Sequence, residues 1–265
     1  MFLLIPTRDA RASTANLSLA LLQRYWPDHP RVELLRAASR ISPWLGPIRH
    51  FLQNRDEELF LLMLDDYGLC AEPRTDLIER AEEIMGEDSS IGLFPLCWYP
   101  AAQRAPRART SGIVTLSGTP ILLQAAIWRR SWFLQLAEGM DDATSPWSFE
   151  AIATQRAKLH RAQICAADIP EPRHLGGHLI DGLDKSDWPL PYHNLMHRGE
   201  PELAHERFLR EHGLAFPSRG LGDAVARVAE TVGLTAVVDR VSQATGRDCG
   251  CRARREALNR WVPLR

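Results

Sequence analysis

The 265-residue chain is long enough to bury a substantial core, and its 45% hydrophobic and 25% charged residues exclude a largely disordered protein. Its 32 basic and 33 acidic residues leave a net charge of −1, which argues against a globally basic nucleic-acid binder. Only Lys158 and Lys185 are lysines, so phosphate contacts would fall mostly to guanidinium groups.

Phe2 to Ile5 is a short apolar run closed by Pro6 and reads as a buried strand. Ala15 to Trp26 spaces Leu17, Leu21, Leu22 and Tyr25 as a helix does, and Pro27 ends it. Val32 to Leu35 is a second strand, and Ile48 to Leu52 belongs to another helix. Leu59 to Leu64 is the clearest buried strand and stops at Asp65-Asp66. Thr75 caps a helix bearing Leu77, Ile78, Ala81, Ile84 and Met85, and Ile91 to Tyr99 follows as a strand. This alternation predicts an α/β fold with a mostly parallel central sheet flanked by helices. Ligands of such sheets sit at the carboxyl ends of the strands, here at Pro6-Thr7-Arg8-Asp9 and Asp65-Asp66-Tyr67.

Further along, Gly112 to Leu116 is a strand, while Leu122 to Ile127 fits a strand or the opening of a helix. Ser145-Pro146 starts a helix that runs to about Leu159, and Gln163 to Ala167 is a strand. Glu171 to Gly199 reads as a long loop with a short strand, and Glu202 to Glu211 as a helix. Residues 213–221 form a linker between a body, 1–212, and a small helical tail, 222–265. The tail is read as three helices: Asp223 to Val232, one capped by Thr235, and one capped by Asp248.

Two adjacent carboxylates at a strand's mouth are hard-oxygen ligands for Mg²⁺ or Mn²⁺, though aspartates also serve plain turns. Glu150, beside Trp147 and Phe149, suits a general base if desolvated; an acid in a first helical turn is also favoured by the helix dipole alone. His174, His178, His193 and His197 gather late in the chain, where one could complete a metal shell. Cys249-Gly250-Cys251 offers half a zinc site, with no second pair after it. Cys70, Cys97 and Cys165 sit singly in apolar runs, as reduced thiols do. No run approaches the about 20 apolar residues that span a bilayer, so a soluble, cytoplasmic protein is expected.

FLLIPTRDA, LFLLMLDDYGL, LLQAAIWRRSWFLQLAEG with SPWSFE, and PYHNLMHRGE, in that order, resemble bacterial and phage glycosyltransferase-like proteins of the GT-A, nucleotide-diphospho-sugar transferase type. The resemblance spans roughly residues 1–212. It implies that Pro6, Thr7 and Arg8 embrace the nucleotide of a nucleotide-sugar donor, a UDP-sugar first among them. It implies Asp66 and Asp65 as ligands of Mn²⁺ or Mg²⁺, with His193 as a further ligand or donor contact. Trp128, Trp147 and Glu150 would line the side of a hydroxyl acceptor, with Glu150 as the catalytic base. The chain departs from the usual pattern in having Leu64 before the pair and no spaced Asp-x-Asp, which bears on strict metal dependence.

The tail, GLGDAVARVAETVGL with GRDCGCRARREALNRW, resembles a small helical segment of phage and prophage proteins and carries a net charge of +3 against −4 for residues 1–219. A protein partner for it is one expectation. Two rivals stand beside glycosyl transfer: a sugar nucleotidyltransferase, disfavoured by the glycine-free first loop, and a catalytically weak interaction protein.

Overall fold

The structure, a computed structural model, describes residues 1–8, 11–37, 44–98, 104–110, 112–116, 119–160, 163–169, 172–173, 183–197, 200–201, 205–216, 220–231, 234 and 251–262. The chain divides into two compact units, Met1–Leu214 and Ala215–Arg265. The division lies inside the linker read from the sequence.

The first unit is built on an eight-stranded sheet. Its strands are β1 (Phe2–Arg8), β2 (Val32–Ala37), β3 (Leu59–Leu62), β5 (Ile91–Pro95), β6 (Arg104–Thr110), β7 (Ile113–Leu116), β8 (Ala126–Arg129) and β9 (Gln163–Ala167). Their order is β2-β1-β3-β8-β5-β9-β7-β6. β1 runs parallel to β2 and β3, and β5 runs parallel to β9. β8 is inserted antiparallel between β3 and β5, and β7 is antiparallel to β9. Most strands therefore point one way, and β8 brings its beginning to the edge where β3 and β5 end. The segment from 122 that fitted either element is extended here, entering β8 at Ala126.

Helices cover both faces. Leu3, Ile5, Leu61 and Met63 face a core layer closed by Leu22 of α1 (Ala12–Tyr25) and by Ile78, Ala81 and Met85 of α3 (Thr75–Glu87). Phe2, Leu4, Phe60 and Leu62 face the other layer, closed by α2 (Leu45–Gln53), α4 (Arg130–Ala137) and α5 (Pro146–His160). Both faces of β1 and β3 are thus buried, which is why these strands read as unbroken apolar runs rather than as alternating ones.

β1 continues past the proline that the sequence suggested as its end. Leu3 N–H donates to Arg31 O on the β2 side, and Leu4 O accepts from Met63 on the β3 side. Pro6 shares the parity of Leu4, so its missing N–H falls on the β3 side, where pairing stops at Leu4 opposite Leu62. The ladder to β2 runs on to Arg8 undisturbed. Thr75 is the first helical residue of α3, with Arg74 before it as the cap. Ser145 does cap α5, its hydroxyl accepting from Ser148 N–H at 3.1 Å.

A small antiparallel pair joins β4 (Tyr67–Leu69) to β10 (Tyr192–Asn194), with His193 opposite Gly68. β11 (Met196–His197) pairs with β12 (Glu200–Pro201), and α6 (Glu206–Glu211) follows.

In the second unit α7 (Leu221–Thr231) packs against α8 (Cys251–Trp261). Buried Asp223 ties them together, accepting from Arg255 Nε at 2.7 Å and from Asn259 Nδ2 at 2.5 Å. Gly222 sits where any side chain would overlap the backbone of Arg255. The middle tail helix and Cys249 lie outside the described residues; Cys251 opens α8 and is exposed. Among the described residues, no helix is long and apolar enough to cross a membrane.

Candidate functional site

The Asp pair occupies the tight turn between β3 and β4, closed by Tyr67 N–H donating to Leu64 O at 3.1 Å. The plain turn and the acidic motif are therefore the same structure. Asp65 is 6% exposed and heavily partnered. Thr7 Oγ1, near the end of β1, donates to Asp65 Oδ2 at 2.7 Å, and Ser18 Oγ of α1 donates to Asp65 O at 2.8 Å. Asp66 O accepts from Leu195 N–H at 2.7 Å, which ties the turn to the β10 segment.

Arg11 bridges the two carboxylates. Arg11, just before α1, directs Nη1 to Asp65 Oδ1 at 3.4 Å and to Asp66 Oδ2 at 3.3 Å. Asp66 Oδ1 is buried with no hydrogen-bond partner. Burial first, and the neighbouring Asp65 charge second, push the Asp66 carboxyl up to about 6, with Arg11 pulling the other way.

Glu150 reaches the same edge of the sheet. In the first turns of α5, its Oε1 accepts from Leu123 N–H at 2.6 Å. Thr154 Oγ1 reinforces the contact, accepting from Ile121 N–H at 2.9 Å and donating to Glu150 O at 2.6 Å. Burial raises the Glu150 carboxyl above the usual glutamate range, partly offset by the Leu123 N–H. Leu123 also links the two acidic regions, because its carbonyl accepts from Tyr67 Oη at 3.1 Å. The Tyr67 phenol is pushed well up by burial first, then by the charges of Asp66, Cys97 and Glu150. Behind it, Tyr67 stacks on Tyr192 at 4.2 Å, and Cys97 Sγ donates to Gln124 Oε1 at 2.9 Å. Burial drives the Cys97 thiol up to about 12, which leaves it inert at neutral pH.

The residues read from the sequence thus separate. Thr7, Asp65, Asp66 and Glu150 gather at the carboxyl edge of the sheet. Pro6 is a buried strand residue beside Thr7; Arg8 ends β1, and its side chain lies outside the described residues. Trp128 is corrected: it is fully buried at the centre of β8, between Phe60 and Leu93, and packs on Trp132, Phe133 and Phe149. Its place on a strand covered on both faces makes it core and removes it from any acceptor surface. Trp147 is 71% exposed on α5.

His193 is carried beside the Asp turn by the β4–β10 pair, but its partners are others. Lys185 Nζ donates to its Nδ1 at 3.1 Å, and its ring stacks on His205 at 4.2 Å. Among the described residues no three His, Cys, Asp or Glu side chains converge as a metal-ligand group. His174 and His178 lie outside the described residues, as does the side chain of His197.

Arg11 and Tyr67 were missed in the sequence. Arg11 stands three residues after Arg8, so a second basic residue close to the end of β1 was the available signal. Tyr67 follows the Asp pair directly. Its contact with Leu123, 56 positions away, has no local signature.

No protein-family model matches the chain, and no curated protein matches it. Among solved structures it is similar to TarS of S. aureus, at 13% identity and a TM-score of 0.40. That match covers 64% of this chain and 36% of the other, so the chain spans about a third of that relative's length. It is similar to the galactosyltransferase LgtC, solved with donor and acceptor sugar analogs, at 10% identity and a TM-score of 0.37, over 63% of this chain and 73% of that one. It is also similar to a UDP-glucose pyrophosphorylase complexed with UDP-glucose, at 8% identity and a TM-score of 0.38, over 63% and 90%. These are remote likenesses.

Proposed function

We propose that the first unit is a nucleotide-sugar glycosyltransferase that moves a sugar to a hydroxyl acceptor with the help of a divalent cation. The observation that carries this reading is the adjacent Asp65–Asp66 pair, with its buried, unpartnered Asp66 Oδ1, set at the carboxyl edge of the sheet together with a partly desolvated Glu150. The sequence resemblance supports it independently.

A nucleoside diphosphate and two carboxylates repel one another, so such a pair serves a diphosphate only through a cation between them. The donor set fits one: hard carboxylate oxygens from adjacent residues and the buried, unpartnered Asp66 Oδ1. Asp66 would hold Mn²⁺ or Mg²⁺ with Asp65 beside it. When bound, the ion supplies positive charge against the departing diphosphate. The chain's own residues do the rest. Thr7 and Ser18 fix Asp65, so the acidic turn is organised before any ligand arrives. Glu150, anchored through one oxygen on Leu123 N–H, holds a carboxylate of raised basicity suited to taking a proton from an acceptor hydroxyl.

Isothermal titration of the full chain with UDP and UDP-sugars, with and without Mn²⁺, tests the reading. Binding that strengthens with Mn²⁺ and is lost in Asp66→Ala is expected. If wild type binds no nucleotide sugar, or Asp66→Ala binds equally well, the reading fails.

A further inference from the structure

Arg11 occupies the position from which a cation would serve both acids. Its Nη1 lies 3.4 Å from Asp65 Oδ1 and 3.3 Å from Asp66 Oδ2, and the side chain is only 20% exposed. Asp65's remaining oxygen, Oδ2, is already taken by Thr7 Oγ1. With Arg11 in place, three of the four carboxylate oxygens are therefore committed, and only Asp66 Oδ1 is open.

From this geometry we propose that Arg11 is a built-in competitor for the divalent ion. It neutralises part of the acidic turn in the absence of ligand and thereby sets a weak resting affinity for metal. The inference rests on the proposed cation role of the Asp pair and deepens it: Arg11 is a positioning residue that decides how readily that role is filled. The physical reason is twofold. A guanidinium and a dication draw on the same oxygens, and like charges a few ångströms apart repel. Metal and Arg11 therefore exclude one another from the shared Oδ1 and Oδ2 atoms. A diphosphate entering with the ion offers the displaced guanidinium a new anion, so metal and nucleotide are expected to bind with positive coupling. α1 begins without any side-chain cap from Arg11, whose only hydrogen bonds among the described residues go to the two acids.

The test uses Mn²⁺ alone, titrated into the full-length protein and followed by calorimetry and by loss of the free-ion electron paramagnetic resonance signal. Arg11→Gln is expected to bind Mn²⁺ about tenfold tighter than wild type or more, and Arg11→Lys, which keeps the charge, to stay within about threefold of wild type. Arg11→Met, which keeps the stem and drops the charge, repeats the measurement should the glutamine variant not fold. Adding Asp66→Asn to the charge-free variant should abolish the gain. Equal or weaker Mn²⁺ binding by the folded charge-free variants, or no binding by any form, overturns the proposal. The nucleotide-sugar reading fails separately, on UDP and UDP-sugar binding. Tighter Mn²⁺ binding without nucleotide binding would keep the Arg11 inference and sink the glycosyl-transfer reading.

Discussion

Replacing Asp66 by Asn should stabilise the protein at neutral pH, and the size of the gain follows from the turn's electrostatics. The folded state lifts this carboxyl from its ordinary 3.8 to about 6, mainly by burial and by the charge of Asp65. Its folded pKa is thus raised above the unfolded value, so the native protein holds the proton more tightly than the unfolded chain does. Stability contributed by the protonated acid is intact below about pH 4 and is lost as pH rises toward 6, where the full cost is reached. Two pKa units correspond to about 3 kcal/mol. Asparagine cannot ionise and escapes this cost. It forgoes a charge-assisted bond from Arg11, which keeps Asp65 as a partner, at a loss of about 1 kcal/mol. The net expectation is a gain of about 1–2 kcal/mol at pH 7.5, shrinking to near zero at pH 4.5.

Urea unfolding at the two pH values, without divalent ions, measures the difference. Tryptophan fluorescence suits it, because of the eight tryptophans only Trp261 lies outside the first unit. A variant less stable than wild type at pH 7.5, or a difference that does not change with pH, would refute the account of the turn as electrostatically costly. The gain should be accompanied by loss of Mn²⁺-dependent nucleotide binding, the exchange of stability for function expected where acids are crowded for a ligand.

Thr7→Val removes the 2.7 Å hydroxyl bond to a buried carboxylate, and thermal or urea unfolding should show a loss of about 1.5–3 kcal/mol. Trp128→Ala should cost about 3–5 kcal/mol as a core cavity, whereas Trp147→Ala, on the surface, should stay within about 0.5 kcal/mol; both are read by the same unfolding curves. Glu150→Gln keeps an oxygen that can accept from Leu123 N–H, so its melting temperature should barely move while sugar transfer falls by about 10²–10⁴. In wild type the acid limb of the transfer rate should lie above the usual glutamate range, since burial raises that carboxyl, and the limb should vanish in the glutamine variant. A Glu150→Gln protein that melts far lower, or transfers sugar at the wild-type rate, would show the contact to be structural only.

The sequence by itself determined the main elements and the acidic turn. Short apolar runs such as Leu3–Ile5 and Leu59–Leu62 read as strands buried on both faces, and an alternation of strands and helices sets them largely parallel. Ser145-Pro146 announced its helix through local capping chemistry, and Asp65-Asp66 announced a break in the sheet at a strand end. These signals are local, so they survive in one dimension.

Tertiary structure alone decided the partners. Trp128 looks the same in sequence whether it lines a cleft or fills a core; insertion of β8 between β3 and β5 put it in the core. Pro6 marks a strand end by its own chemistry, yet β1 passes through it because β3 stops pairing one step earlier. The start of α1 beside the β3–β4 turn sets Arg11 against both acids, a contact across more than 50 positions that no local pattern shows. Glu150 takes its backbone partner from Leu123, 27 positions away, a contact that no helix-capping pattern shows. Burial, pKa and ion pairing are properties of contacts between distant segments, and in this chain they are what turn an acidic turn into a candidate site.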